Sequence, residues 1–350
     1  GIHFTKAKNG FLAHSRLSIV DTSPRSNQPF IIEDKIVVVF NGEIYNHQLL
    51  KNKISNQRPD INWKTTSDTE VVGNAYLCFG ENFTEHFNGM FSIAIFDVSR
   101  NKVLLTRDRI GIKPLYYYWK DNCLIWGSEV KNILSIKNNI KFNNNVGNIL
   151  NYFYAFTSLD DTTYFEHIKR AKPGETITFS KDQKIVKQYW CLLKNSLTNY
   201  PSFNLADDLQ LAIKQRIPSE VDYNIFLSGG VDSSLIAGDL PHVDSLSISF
   251  DFTDQDYLDE SKFATMVSSR CDGTHKNLVI NTTEFFHLVD SYVKYCDIPI
   301  GDPVSLCIKK LSEETEKRKI KVAFVGEGAD ELFFGYEAWR KIHLTNSLIN

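Results

Sequence analysis

The stretch Phe226-Leu227-Ser228-Gly229-Gly230-Val231-Asp232-Ser233-Ser234 decides how the second half of the chain is built. It follows Asn224–Leu227, an apolar run that reads as a buried strand. It precedes residues 233–240, where apolar residues return at helical spacing. The paired glycines allow a sharp turn and close backbone approach to a ligand. Ser228, Ser233 and Ser234 offer hydroxyl groups. The next helix offers N–H groups and the positive end of its dipole, so the loop is expected to hold an anion. The lysine of a GxxxxGK[ST] phosphate loop is absent. Asp232 would repel a bare phosphate and makes sense as a magnesium ligand. The competing reading is a plain strand-to-helix turn with Asp232 as a cap.

Outward from this loop, strand and helix alternate. Leu205, Leu209, Ala212 and Ile213 mark an amphipathic helix ahead of it. After it come a strand at 245–250 and helices at 260–269, 283–295 and 305–317. A last strand is expected at 321–325. Such alternation predicts a doubly wound parallel sheet, whose ligands sit beyond the carboxyl ends of the strands. A second loop belongs at that edge: Val325-Gly326-Glu327-Gly328-Ala329-Asp330-Glu331. It has no third glycine at dinucleotide spacing. Asp330 is suited to magnesium and Glu327 to orienting a nucleophile or a charged intermediate. Alone, the stretch also reads as a helix start with acidic first-turn residues.

The first 155 residues read differently. Strands are expected at 35–40, 91–97, 102–106, 114–119 and 123–127, with turn residues between them. One helix is expected after Ser67, which has capping-box spacing to Glu70. This mixture predicts an α+β layered domain. Residues 156–204 are read as a hairpin, turning at Lys172-Pro173-Gly174, and a polar linker. The expected organisation is therefore 1–155, 156–204 and 205–350.

Four polar stretches in the first domain exceed what a core needs: His14–Asp21, Asn41–Asn46, Thr66–Glu70 and Arg107–Pro114. Arg16 could clamp a carboxylate with its bidentate fork. Glu43 and Asp68 could receive an ammonium group. The Asn41 side chain and the Gly42 N–H could form an oxyanion hole. Together these describe a pocket for a free amino acid undergoing acyl chemistry. A surface salt-bridge network with an Asn-Gly turn is the alternative.

RLSIVD, NGEIYN, SDTE, NGMFSIAIFD, RDRIGIKPLYY, LSGGVDSS and GEGADELFFGY, in this order over essentially the whole chain, resemble the glutamine-hydrolysing asparagine synthetase family. The resemblance implies a class II glutaminase domain, a four-layer αββα N-terminal-nucleophile sandwich. After it comes an α/β synthetase domain of the ATP-pyrophosphatase type. By match, Arg16 binds the glutamine carboxylate, Glu43 and Asp68 its amino group, and Asn41 and Gly42 its oxyanion. Ser228, Gly229, Gly230, Asp232, Ser233 and Ser234 hold the ATP pyrophosphate, with Asp232 and Asp330 on Mg²⁺. Leu227, Ile248 and Gly326 match nucleotide-contact positions. Glu327 matches the glutamate supporting ammonia attack on an acyl-adenylate. Val325 stands where many members have Ser or Thr. The implied cofactors are ATP and Mg²⁺.

The family's nucleophile is a cysteine in an amino-terminal CGI segment, followed by HRGPD. Gly1 matches a position shortly after HRGPD, so the resemblance implies that a further amino-terminal segment, and a helical carboxyl-terminal part with a late lysine, lie outside this chain. None of the six cysteines matches the nucleophile. This chain alone is expected not to hydrolyse glutamine, and its synthetase site is expected to be incomplete. Aspartate is the expected acceptor. The stretch 297–303 (DIPIGDP) resembles members linked to surface-polysaccharide synthesis, which makes a sugar carboxylate the alternative. A non-catalytic remnant is the reading from another class.

Composition removes other classes. The 350 residues carry a net charge of −3, giving no basic field for nucleic acid or an anionic membrane. Hydrophobic residues at 42% suffice for two cores. No run approaches membrane-spanning length. The scattered cysteines lack a CxxC pair and suit a reducing cytoplasm better than a disulfide frame. Small-molecule partners and a homodimer fit the resemblance.

Overall fold

The structure is a computed structural model. It describes residues 2–7 (backbone only), 10–136, 140–181, 183–195, 204–251, 260–297, 299, 301–336, 339 and 341. The chain divides into two compact units, Gly1–Phe203 with Tyr295–Asp302, and Asn204–Lys294 with Pro303–Asn350.

The first unit runs β1 (Ile2–Ala7), β2 (Gly10–Ser15), β3 (Phe30–Ile32), β4 (Ile36–Ile44), α1 (His47–Gln57), α2 (Asp68–Phe79), β5 (Gly89–Asp97) and β6 (Lys102–Arg107). It continues with β7 (Tyr116–Lys120), β8 (Cys123–Gly127), α3 (Val130–Leu134), α4 (Val146–Ala155), β9 (Ile168–Arg170), β10 (Glu175–Ser180), β11 (Gln183–Gln188) and α5 (Leu192–Asn195). Six strands form an antiparallel sheet in the order β11-β10-β6-β5-β4-β3, three form β8-β7-β9, and β1 pairs with β2.

Alternation along β4 and β5 builds the layers. Ile36, Val38, Phe40 and Ile44, with Phe91, Ile93 and Ile95, pack against Leu50 and Ile54 of α1 and Val71, Val72, Ala75 and Tyr76 of α2. The opposite face, with Val39, Ala94, Leu105, Ile177 and Phe179, meets Leu115 and, in the second sheet, Tyr117. That sheet's outer face carries Tyr118 and Ile125 onto Val130 and Ile133 of α3. The order is helices, sheet, sheet, helix. Strands buried on both faces read as unbroken apolar runs, which is why IVVVF and FSIAIF lack polar alternation.

Several expectations are corrected here. The strand expected to stop at Asn41-Gly42 runs through to Ile44, because Gly42 is extended (φ 149°) and pairs with Phe91 instead of turning. The Ser67 hydroxyl caps α2 by accepting from Thr69 N at 3.2 Å, but Glu70 does not close the box. Its carboxylate instead accepts from the N–H groups of Lys64 and Thr65 and from the Thr65 hydroxyl. The turn at Lys172-Pro173-Gly174 does not close the expected hairpin: it joins β9 of the three-stranded sheet to β10 of the six-stranded one, and the hairpin of this region is β10–β11. It extends the six-stranded sheet, β10 pairing with β6, and so belongs to the first unit. Residues 196–203 of the expected linker lie outside the described residues.

The second unit runs α6 (Leu205–Arg216), β12 (Tyr223–Phe226), α7 (Val231–Asp239), β13 (Asp244–Phe250), α8 (Ser261–Ser268), β14 (His275–Ile280), α9 (Thr282–Tyr295), α10 (Val304–Lys317), β15 (Val322–Phe324) and α11 (Ala329–Phe333). Four strands make a parallel sheet in the order β14-β13-β12-β15. Ile225, Leu227, Ala237 and Ala264 form the core on one face. Leu246, Leu278 and Leu311 form it on the other. The doubly wound parallel sheet is thus present. No helix among the described residues is long and apolar enough to cross a membrane.

Candidate active sites

The first unit contains a pocket of about 1130 Å³ between its two sheets. Val39, Asn41 and Glu43 alternate on the face of β4 that lines it, and Ser92 and Ala94 of β5 lie beside them. Leu124 and Trp126 of β8 form the opposite wall, while His14 and Arg16 line it from the end of β2. Asp68 enters from the first turn of α2. Five of the expected residues, Arg16, Asn41, Gly42, Glu43 and Asp68, therefore share one cavity.

Gly42 has a defined orientation. Its partner Phe91 is occupied on the other side: Asp108 N donates to Phe91 O at 2.8 Å, and Phe91 N donates to Asp108 Oδ2 at 3.2 Å. Gly42 and Phe91 are therefore a non-hydrogen-bonded pair, and Gly42 directs its N–H away from β5. On that same side Phe40 N donates to Gln28 Oε1 at 2.6 Å and Ile44 N to Asp68 Oδ2 at 3.1 Å. β3 covers this edge only between Ile36 and Val38. Only a glycine fits here, since a Cβ would lie 2.0 Å from Met90 O and 2.8 Å from Phe91 Cα. The Asn41 amide donates to Ser128 Oγ at 3.3 Å.

The acidic pair is electrostatically loaded. Burial and the neighbouring Asp68 charge push Glu43 up to about 7, with Lys113 pulling the other way. Burial pushes Asp68 up to about 6, against bonds from the N–H groups of Ile44 and Thr69. Two carboxylates held this way favour a cation between them. Arg16 donates to the carbonyls of Ser23 (3.0 Å), Val20 (3.0 Å) and Asp21 (2.5 Å), so its guanidinium is fixed at the rim. Asp21 ties this segment to the turn before α2, accepting from Thr66 N at 2.9 Å. Cys123 also lines the pocket. It lies five residues along the strand from Ser128, roughly 16 Å away at the rise of a β-strand.

In the second unit the two expected loops leave the ends of adjacent parallel strands, β12 and β15. They touch. A Cβ on Gly326 would lie 2.9 Å from Ser233 N and 3.2 Å from Asp232 Cβ, at the first turn of α7. Gly229 has φ 87°, and a Cβ there would lie 2.6 Å from Ala264 N of α8. The serine hydroxyls are committed largely within the loop. Ser228 Oγ lies 3.1 Å from Ser233 Oγ and accepts from Gly230 N at 3.1 Å, and Ser234 Oγ donates to Gly230 O at 2.6 Å. They shape the turn, which leaves main-chain N–H groups and the helix end as its anion-facing chemistry.

Leu227 and Ile248 are not brought together as side chains. Leu227 is buried with α7, while Ile248 packs on the α10 face. A nucleotide would meet this edge through main-chain atoms. Glu327 and Asp330 are exposed on the second loop and Asp232 is half-buried on the first. Among the described residues no three His, Cys, Asp or Glu side chains form a ready metal cage. Asp232 and Asp330, one on each loop, are the carboxylates such an edge could offer Mg²⁺, an ion that takes one or two carboxylates and fills its shell with water and phosphate oxygens.

The family model of glutamine amidotransferase domains matches residues 1–190, and that of asparagine synthases matches residues 204–350. The chain belongs to the glutamine-hydrolysing asparagine synthetase family. A Methanocaldococcus jannaschii protein assigned to the glutamine-hydrolysing asparagine synthetases is 32% identical over 93% of this chain. Asparagine synthetase (glutamine-hydrolysing) 1 of Bacillus subtilis is 29% identical over 93%. Amidase chry2 of Gibberella zeae is 28% identical over 94%. The chain spans 66% of the first relative and 52% of the other two. In this asparagine synthetase family chain, the amidotransferase match contains the acidic pocket, and the synthase match contains the two touching loops.

Proposed function

We propose that the protein is a glutamine-dependent, ATP-driven amide ligase whose acceptor is aspartate. The observation that carries this reading is the acidic pair Glu43 and Asp68 in one cavity with the outward N–H of Gly42. A free amino acid needs both an ammonium receptor and, for attack at its side-chain amide, an oxyanion donor. In this reading Glu43 and Asp68 hold the glutamine ammonium and Arg16 its carboxylate. Gly42 N–H and the Asn41 amide stabilise the tetrahedral oxyanion, each donor contributing on the order of 10²–10³ in rate.

The second unit takes ATP. Main-chain N–H groups at Gly229 and the start of α7 receive its phosphates, and Ser228, Ser233 and Ser234 hold that turn in shape. The acceptor carboxylate attacks the α-phosphorus and pyrophosphate leaves. Ammonia then attacks the acyl carbon of the mixed anhydride and AMP leaves, because a free carboxylate is inert toward ammonia until an oxygen becomes a leaving group. Asp232 and Asp330 would hold Mg²⁺, which screens phosphate charge. Glu327, on the same loop, supports the attacking ammonia.

A second reading keeps the chemistry and changes the acceptor. The relatives include an amidase as well as asparagine synthetases. In the stretch 297–303, Ile298 and Ile300 lie outside the described residues. The test is pyrophosphate release by the full-length gene product with Mg·ATP, using ammonium chloride or glutamine as nitrogen donor. Release that depends on aspartate, with asparagine formed, is expected. Release with a uronate but not aspartate moves the protein to the second reading, and silence with both leaves the non-catalytic remnant.

A further inference from the structure

Lys113 lies in the loop between β6 and β7, which is held by two buried residues. Asp108, 1% exposed, accepts from Ile112 N (2.9 Å) and Ile110 N (3.3 Å) on Oδ1. On Oδ2 it accepts from Lys113 N (2.9 Å) and Phe91 N (3.2 Å). The Arg107 guanidinium, also buried, donates to Gly111 O (2.6 Å), Lys113 O (2.7 Å) and Ala171 O (2.8 Å). Both main-chain polar groups of Lys113 are thus bonded by this pair. The same Asp108 oxygen that grips Lys113 also grips Phe91, the residue facing Gly42. The base of Lys113 is fixed relative to the proposed oxyanion donor, and Lys113 lines the pocket with Glu43 and Asp68.

We propose that Lys113 is a third charged group of this pocket, a positioning residue that favours the carboxylate form of Glu43 and so readies the acidic pair for an ammonium-bearing ligand. The inference rests on the glutamine reading of the pocket. The charges acting on Glu43 are those of Asp68 and Lys113. The other titratable groups lining the cavity are His14, Arg16, Cys123 and Glu129, and Arg16 is bound to three carbonyls at the rim. Without Lys113, burial and Asp68 act on Glu43 unopposed, and it protonates at higher pH. An arriving ammonium must then displace a proton. At alkaline pH both carboxylates are ionised regardless, and Lys113 only repels the incoming cation.

The two regimes have opposite signs, and this gives the test. Glutaminase KM is measured against pH for the full-length enzyme, Lys113→Met and Lys113→Arg. At about pH 6.5, Lys113→Met should raise KM by about 3–10-fold, the equivalent of half to one pH unit. At about pH 8.5 its KM should equal or fall below the wild-type value, so that the curves cross. Lys113→Arg should follow the wild type. A purely structural role would lower activity by the same factor at every pH. An active Lys113→Met enzyme with an unshifted or parallel profile overturns the inference. Absence of glutaminase activity in the wild type itself overturns the reading beneath it.

Discussion

Replacing Gly42 by alanine should abolish glutamine-dependent activity and leave ammonia-dependent activity standing. The added Cβ would lie 2.0 Å from Met90 O, 2.8 Å from Phe91 Cα and 2.9 Å from Met90 C. All three atoms are backbone, so no side chain can rotate away. Real Cβ atoms essentially never come closer than 3.0 Å, so β4 and β5 must part by about 1 Å at this pair. The φ of 149° adds strain for any residue with a Cβ. Overpacking of this kind costs about 1–3 kcal/mol. On the proposed oxyanion role its catalytic cost is larger, because the displaced atom is the proposed donor itself. A misplacement near 1 Å costs on the order of 10²-fold, and loss of an oxyanion donor about 10²–10³-fold. The assay compares glutamine-dependent with ammonium-dependent pyrophosphate release in one preparation, with thermal unfolding to establish that the variant is folded at the assay temperature. A folded Gly42→Ala enzyme that hydrolyses glutamine at near wild-type kcat would refute the assignment of this N–H.

Other expectations follow from the same geometry. Gly229→Ala needs a Cβ 2.6 Å from Ala264 N at a φ of 87°, so it should cut ammonia-dependent pyrophosphate release by about tenfold or more while glutaminase activity persists. Glu43 has its folded pKa raised to about 7, above its ordinary 4.5, so the folded state keeps a proton that the unfolded chain has released. Its contribution to stability therefore declines as pH rises through that window. Glu43→Gln should be more stable than wild type at about pH 7.5, by on the order of 2 kcal/mol, with the gap closing toward about pH 5 in denaturant titrations. Tyr76 donates to Asp97 Oδ2 at 2.7 Å in the buried layer between α2 and β5. Tyr76→Phe should cost about 1–3 kcal/mol in unfolding experiments without changing the KM for glutamine.

What the sequence could convey depended on the range of the interactions involved. The parallel sheet was legible because each strand and helix carries its own period, and the two loops fall at strand ends by that rule alone. β14 was missed: in the edge strand His275–Ile280 only Leu278 and Ile280 are buried, and its first half is held by side-chain bonds of His275 and Asn277 to Ser245, Ser247 and Ser249. Such pairing is invisible to a hydrophobic pattern. α1 was missed for a similar reason, since HQLLKNKISNQ offers only Leu50 and Ile54 to the core. Asn41-Gly42 misled more instructively. The dipeptide favours a turn locally, yet the glycine serves a close strand crossing that depends on Met90, far away in sequence.

Residue types picked out Arg16, Asn41, Gly42, Glu43 and Asp68 as a set, and the fold brings these five to one cavity. Their partners were hidden. Nothing in RDRIGIK announces that Asp108 gathers four main-chain N–H groups and that Arg107 gathers three carbonyls. Charged pairs in a polar stretch read as surface, and only burial shows them to be a clamp. The serines of the second unit invert that lesson. They were read as ligand donors because hydroxyls beside paired glycines suit phosphate, but they bond one another and Gly230. A short hydroxyl side chain competes for the nearest backbone group before it reaches a ligand. On the proposed reading, the anion would then be met chiefly by main-chain N–H groups. Substituting Ser234 should perturb the turn at Gly230 first and phosphate affinity only through it.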